Sequence, residues 1–586
     1  MNRQKVRTIQ WLAAATGIGL SLVAASCGGL VATQSADAPA SESITNNQEA
    51  GVDEGGIVKA AGDVLVVLRR GRIFTVGLGD QAMRPICRED AYPDEELGSW
   101  YDEMLIHDRT VVVIGYSYRM GATEIGLFDL DAQGCVAHRS THFLRSNDYF
   151  STRNYASRLI EGKLVFYMPH YLGSFAIENG QVQTSTPAPA LQAFGEGQWN
   201  SVLASAELTV PAEVRSSPTL HTVVSCELAP EFSCDAHGII GESGRTFYVS
   251  PRAVYVWVGS PGGGEEPNAI VYRLPFGQEP PGAVRVWGMP TDQFSFREAD
   301  GHLNVLVRSE GGGDWMGHPE RVGGSVDLVR IPLLAFARPG APTLATNAYT
   351  PLPEPQGSGH AFQNRFVGDY VLYGKGISWG GASAGQHATL YAHSVGQQRP
   401  TRALRLSHGI DRIEALGEDA VVIGSDGDNL LFSSFALAEG RPRMIDRYAR
   451  SHAVQGETRS HGFFYKPSGE REGVFGLPVR REGPGAAHLR YGSAEIVYLK
   501  VQELRFDPLG ELRATNDSVD DDCRVSCVDW YGNARPIFYR GRVFALLGYE
   551  LVEGKLTAGP QGSRIREVGR THLVRDLPDP THVRHP

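Results

Sequence analysis

Apolar residues recur at every second position in short runs, and each run is followed by a tight turn and a second run of the same kind. The segment IVKAAGDVLVVL at 57–68 shows the pattern, and MLIHDRTVVVIG at 104–115 repeats it. Further copies are RLIEGKLVFYM at 158–168, YVSPRAVYVWVG at 248–259, FREADGHLNVLV at 296–307 and NRFVGDYVLYG at 364–374. IEALGEDAVVIG at 413–424, FFYKPSGEREGVFGLPV at 463–479 and IFYRGRVFALLG at 537–548 complete the series. Period-two alternation on both sides of a turn predicts a β-hairpin. Most copies are followed by another strand-like run, such as TEIGLFDLD, NAIVYRLPF, ATLYAHS or NLLFSSFAL.

Most copies are spaced by roughly 50 residues, somewhat above the length of a compact propeller blade. Runs such as VLVVL, VVVIG and AVYVWV are apolar on both sides, so both faces of their sheets must be covered. Packing four-stranded sheets face to face around an axis provides that cover. The chain therefore reads as all-β: a single large β-propeller of antiparallel four-stranded blades with loop insertions. Placing the first hairpin beside the last puts the nine hairpins into eight blades, with seven as the close alternative. Two or three separate β-sandwiches are the competing architecture. No long amphipathic helix is visible.

Composition narrows the picture. The chain has 586 residues, with 69 Gly and 34 Pro, which suits many turns and excludes a coiled coil. Hydrophobic residues are 42% and aromatics 9%, enough to bury a core and exclude disorder as the main state. Lys and Arg total 55 against 66 Asp and Glu, a net charge of −11, so no nucleic-acid partner is expected.

The first 26 residues read as a secretion signal, with Arg3, Lys5 and Arg7 ahead of the apolar run 11–25. The small residues before Cys27 resemble the lipobox of bacterial lipoproteins, although Ala24 stands where that box usually has Leu. The resemblance implies acylation of Cys27 as the mature N-terminus and a lipid as the membrane attachment. Gly28 directly after it implies the outer membrane. Residues 27–50 read as a flexible tether, 51–550 as the propeller, and 551–586 as a C-terminal segment with a partly disordered tail.

Six further cysteines in an exported chain favour disulfides. Short separations pair Cys226 with Cys234 and Cys523 with Cys527, which leaves Cys87 with Cys135 by elimination. Free buried thiols are the alternative.

The segment 45–76, TNNQEAGVDEGGIVKAAGDVLVVLRRGRIFTV, resembles the opening of bacterial and archaeal secreted proteins with a β-propeller domain distantly related to WD40 repeats. The matching residues are Gly51, Val52, Asp53, Glu54, Ile57, Val58 and Lys59. DQFSFREADGHLNVLV at 292–307 is a second match, and segments 364–373 and 460–479 are weaker ones. The chain departs at Gly55-Gly56, where Ala-Asp is more usual, and at Asp292, where the family has Asn. The resemblance implies a fold and an export route. It supplies no catalytic residue.

Several groups of residues are candidates for chemistry. Asp53 and Glu54 beside Lys59 suit cation or partner binding in a propeller mouth, or a structural role at ring closure. Asp517, Asp520, Asp521 and Asp522 form an oxygen-rich loop that could take Ca²⁺, although no EF-hand spacing is present. Otherwise no cofactor is expected. Ser378 in GISWG fits a nucleophile-elbow string, but GASAGQHA after it is a poor helix, so no catalytic residue is assigned. Trp315, Trp379 and Trp530, with Trp100, Tyr101 and Tyr531, are aromatic candidates for stacking on sugars or anchoring a protein. The reading is a lipid-anchored cell-envelope propeller that binds an envelope protein or a polysaccharide. The alternatives are an envelope-polymer hydrolase or lyase with carboxylates in the ring's mouth, and a calcium-stabilised surface protein.

Overall fold

A computed structural model describes residues 43–577, except 80–81, 148–155, 174, 179–180, 210–217, 261–263, 315–322, 357–360, 377–386, 398, 482–494, 516–520, 530–531 and 560–561. The predicted hairpins are present. In three of them the turn pairs a residue of positive φ with a following glycine, at Glu161-Gly162, Asp300-Gly301 and Arg540-Gly541. Two positive φ values in succession match the right-handed twist of the flanking strands, which is why these hairpins are tight.

Each hairpin begins a sheet, and among the described residues nine sheets have four or more strands. In chain order they occupy 58–90, 99–145, 157–241, 244–286, 289–352, 361–406, 412–451, 453–513 and 534–572. They are called the first to ninth sheets below. Each packs on the next through one apolar cluster. Val66, Leu68, Val111 and Val113 join the first to the second, and Leu416, Ile423, Phe475 and Leu477 join the seventh to the eighth. Leu65, Phe74, Ile537 and Phe544 join the ninth back to the first and close the ring.

Nine sheets replace the predicted eight blades. The first and ninth sheets are each built from four consecutive strands, so the first and last hairpins do not share a blade. The propeller also extends past residue 550. Strands Glu550–Gly559 and Gly562–His572 are the outer half of the ninth sheet. Their polar sequence reads as a tail because the outermost strand is largely exposed.

One long insertion separates the two middle strands of the third sheet. Its strands Ala190–Ala193 and Asn200–Ser201 extend the outer edge of the second sheet, and Leu203–Thr209 runs parallel to the outer strand of the third. It thereby clasps two neighbouring sheets from outside.

Cys226 and Cys234 are disulfide-bonded across adjacent strands, and Cys523 is bonded to Cys527 in the segment before the ninth sheet. The third predicted bridge is absent. Cys87 and Cys135 are free thiols in hydrogen-bond contact between the first and second sheets. Cys87 Sγ is also 3.3 Å from Thr75 Oγ1. Burial and the adjacent Cys87 push the Cys135 thiol up to about 12, which keeps it out of the reactive thiolate form.

Candidate functional site

The predicted tether is not free over its last part. Residues 44–57 run around the inner wall of the ring and touch eight of its nine sheets. Ile44 packs with Ile57, Tyr539 and Leu573 of the first and ninth sheets. Asn46 Nδ2 donates to Glu414 Oε2 of the seventh at 3.2 Å and to the Ser460 carbonyl of the eighth at 3.1 Å. Gln48 Nε2 donates to the carbonyl of Gln293 beside the fifth at 2.9 Å. Tyr248 of the fourth donates to Glu49 Oε1 at 2.5 Å. Asp53 and Glu54 then pair as a short strand with Leu159 and Arg158 of the third, and Gly56 bridges to Met104 of the second. Small polar side chains read as a linker when their partners are hundreds of residues away.

Glycine stands at position 55 for a visible reason. A Cβ there would collide with Ser157 Oγ and the Glu103 carboxylate. Only glycine lets the backbone pass this close to the second and third sheets.

Asp53 and Glu54 are thus held by the chain's own groups. Lys59 Nζ lies 2.8 Å from both oxygens of Asp53 and 2.9 Å from Thr45 Oγ1. Glu54 is 2% exposed and accepts from the Gln48 backbone at 3.1 Å and from His461 Nε2 at 2.9 Å. Burial opposes its charge, but Arg158 and His461 outweigh burial and hold the carboxyl down at about 2. Burial holds His461 down to about 4 against the pull of Glu54, so a neutral imidazole donates to a carboxylate.

The other axial charges are also matched. Glu414 takes Arg365 and Arg412, each at 2.8 Å, and Glu457 takes Arg535 at 3.2 Å. Arg412 additionally donates to the carbonyls of Glu457, Arg459 and Ser460. Glu103 accepts from the backbones of Ala156 and Ser157, each at 2.9 Å. Glu49 differs from these. It is half-buried, and burial raises its pKa despite the hydroxyl of Tyr248.

The acidic loop is partly described. Asp521 is buried, 2.8 Å from Arg70, and accepts from the Tyr549 hydroxyl. Asp522 presents its carboxylate to solvent while its carbonyl accepts from Arg72 at 2.5 Å. Asp517 and Asp520 lie outside the described residues, as do Cys27, Trp315, Trp379, Ser378, Trp530 and Tyr531. Among the described residues, no three His, Cys, Asp or Glu are grouped to hold a metal ion. Tyr101 is buried in a strand with its hydroxyl on Glu124 at 2.6 Å, and is not a loop aromatic.

Exposed aromatics gather instead on the second and third sheets, where the insertion clasps them. Tyr118 is 60% exposed, Tyr171 47% and Phe194 44%. Tyr116 and Tyr118 meet edge to face at 5.1 Å. Trp199 lies under the Arg145 guanidinium at 4.2 Å, and Tyr171 is 5.9 Å from that of Arg245. Tyr118, Tyr171 and Trp199 stand at the end of the ring where the first strands begin. Such residues at strand ends read as core in the sequence; the long gap between the strands ending at Tyr171 and starting at Thr219 was the available signal.

Residues 42–325 match a family model described as the Beta propeller domain. No curated protein matches the chain. Among solved structures it is similar to a post-proline cleaving enzyme from Rickettsia typhi, at 10% identity and a TM-score of 0.29. That match covers 75% of this chain and 58% of that one. The chain is a β-propeller protein, with residues 42–325 matching the Beta propeller domain family and its sheets continuing to residue 572.

Proposed function

We propose that this protein is a binding module of the cell envelope, held to the membrane by a lipid on Cys27, that takes up a protein or a glycan on its aromatic platform. The observation that carries the reading is the set of exposed rings, Tyr118, Tyr171 and Phe194, with the half-buried Trp199 under Arg145, on the one long insertion and the sheets it clasps. Rigid aromatic faces beside Arg145 and Arg245 suit stacking on sugar rings and anchoring of side chains. The axis supports the same reading, since its deeply buried carboxylates are consumed by internal partners. Fifteen residues, sixteen steps of the chain, separate Cys27 from Ser43, a reach of at most about 55 Å from the lipid.

Affinity capture of the tagged full chain from detergent-solubilised envelope tests the proposal, alongside a Tyr171→Ala/Trp199→Ala variant. A protein or polysaccharide retained by the parent and lost by the variant supports it. Equal retention by both overturns the assignment of the platform.

Glu49 motivates a second reading, an envelope-polymer hydrolase, because a raised carboxylate pKa suits a general acid. Release of reducing ends from purified envelope polysaccharide, abolished by Glu49→Gln, would replace the first reading with this one.

A further inference from the structure

At the opposite end of the ring from the aromatic platform, a cavity of about 760 Å³ lies between the fifth and sixth sheets, beneath the loop 333–348. Its volume is that of a small-molecule site. The charge on its wall is all of one sign. Arg330, Arg338 and Arg399 line it with His302 and His393, and among the described residues no Asp or Glu does. That is the reverse of the whole chain, which carries a net charge of −11.

Most buried arginines of this protein are neutralised by carboxylates, as Arg365, Arg412 and Arg535 are at the axis. Two of the three arginines of the cavity are held differently. Arg330 Nε donates to Asn304 Oδ1 at 3.0 Å, and Arg399 Nη1 donates to the Gly440 carbonyl at 3.0 Å. These neutral partners position the guanidinium groups and leave their charge unmatched within the cavity wall. Gly396 is part of the arrangement. The Arg330 guanidinium lies over it so closely that a Cβ would meet Nη1 at 3.3 Å. The rest of the wall mixes polar groups, Thr343, Asn347, Thr350 and Gln397, with apolar ones, Leu328 and Leu344, and with Leu334, which is 82% exposed.

We propose that this cavity binds a small organic ligand through an oxyanion, a carboxylate or a phosphate, seated among Arg330, Arg338 and Arg399. Planar guanidinium groups match the two oxygens of either head group. The leucines take the ligand's carbon skeleton. The site is separate from the platform and does not depend on the platform's role.

Titration calorimetry on the purified full chain tests the site with four probes: inorganic phosphate, glucose 6-phosphate, glucuronate and glucose. Binding of glucose 6-phosphate or glucuronate, tighter than inorganic phosphate and weakening as salt is raised, is the expected result. Whichever acidic sugar binds identifies the head group. Arg338 and Arg399 are exposed, so Arg338→Ala and Arg399→Ala leave the thermal midpoint unchanged, and each weakens binding tenfold or more. The proposal is overturned if neither acidic sugar binds at millimolar concentration. It is also overturned if glucose binds equally well, or if both variants bind as tightly as the parent.

Discussion

Glu54 and His461 meet at 2.9 Å across 407 residues of sequence, and both side chains are 2% exposed. Through this contact the residues ahead of the first sheet are fastened directly to the eighth. The ring therefore closes without a strand shared between its first and last sheets. The inner segment holds the sheets from the axis while the apolar faces of the first and ninth hold each other.

Replacing Glu54 should cost more than its one short strand suggests. Glu54→Ala leaves Arg158 without this carboxylate and the Gln48 N–H without its acceptor, so a loss of about 3 kcal/mol or more is expected. Urea denaturation would show it as a lower midpoint at similar slope. A change under about 1 kcal/mol would mean that the inner segment does not hold the ring.

Stability should fall with acid before the carboxylates titrate. Burial holds His461 and His408 down to about 4 and His221 to about 3, against an ordinary value of 6.5. The unfolded chain then binds protons that the folded chain refuses, so stability is lost as pH falls from 6.5 toward 4. His461 alone accounts for about 3 kcal/mol of that loss. Glu54 adds a second loss as pH falls from 4.5 toward 2. Urea midpoints at pH 7.5, 5.5 and 4.5 check the first window, and a flat profile there would contradict the buried neutral imidazoles.

Cysteine labelling distinguishes the two bonded pairs from the free thiols. Alkylation of the chain unfolded without reductant should modify Cys87 and Cys135 and spare Cys226, Cys234, Cys523 and Cys527. Peptide mass analysis reads this directly. Protection of Cys87 and Cys135 would show that the third bridge forms.

Truncating the platform should separate binding from folding. Tyr118→Ala and Tyr171→Ala remove exposed rings, so stability should change by under about 0.5 kcal/mol. Retention of the captured partner should fall about tenfold, as expected for loss of an anchoring aromatic. A large loss of stability instead would show that these rings serve packing.

The lipid anchor has a separate test. Incorporation of labelled fatty acid should disappear in Cys27→Ser. Incorporation that persists in the variant would exclude Cys27 as the acceptor.

The hairpins were legible because their information is local. Val64–Arg69 and Arg542–Leu547 alternate or run apolar beside a glycine turn, and neighbouring residues suffice to read that. Ring closure was legible only at Asp53 and Glu54, and not in the partners that complete it. Nothing near Asn46 or Gln48 announces Glu414 or the Gln293 carbonyl, so amides that line an axis look like those of a linker. Asp53 and Glu54 stood out as charges, but their partners Arg158 and His461 lie in other sheets. The oxyanion cavity was equally hidden, because Arg399 lies four strands beyond Arg330 and Arg338 in the sequence and meets them only in the folded chain.

The inner segment also sets an order of events. Translation delivers residues 44–57 first, yet Glu414, Ser460 and His461 emerge roughly 350 to 400 residues later. The earliest part of the folded body to be made is therefore among the last to find its place. Until the eighth sheet exists, these amides and carboxylates have only water for partners on that side. The finished ring records that delay: its opening residues are the ones that latch it shut.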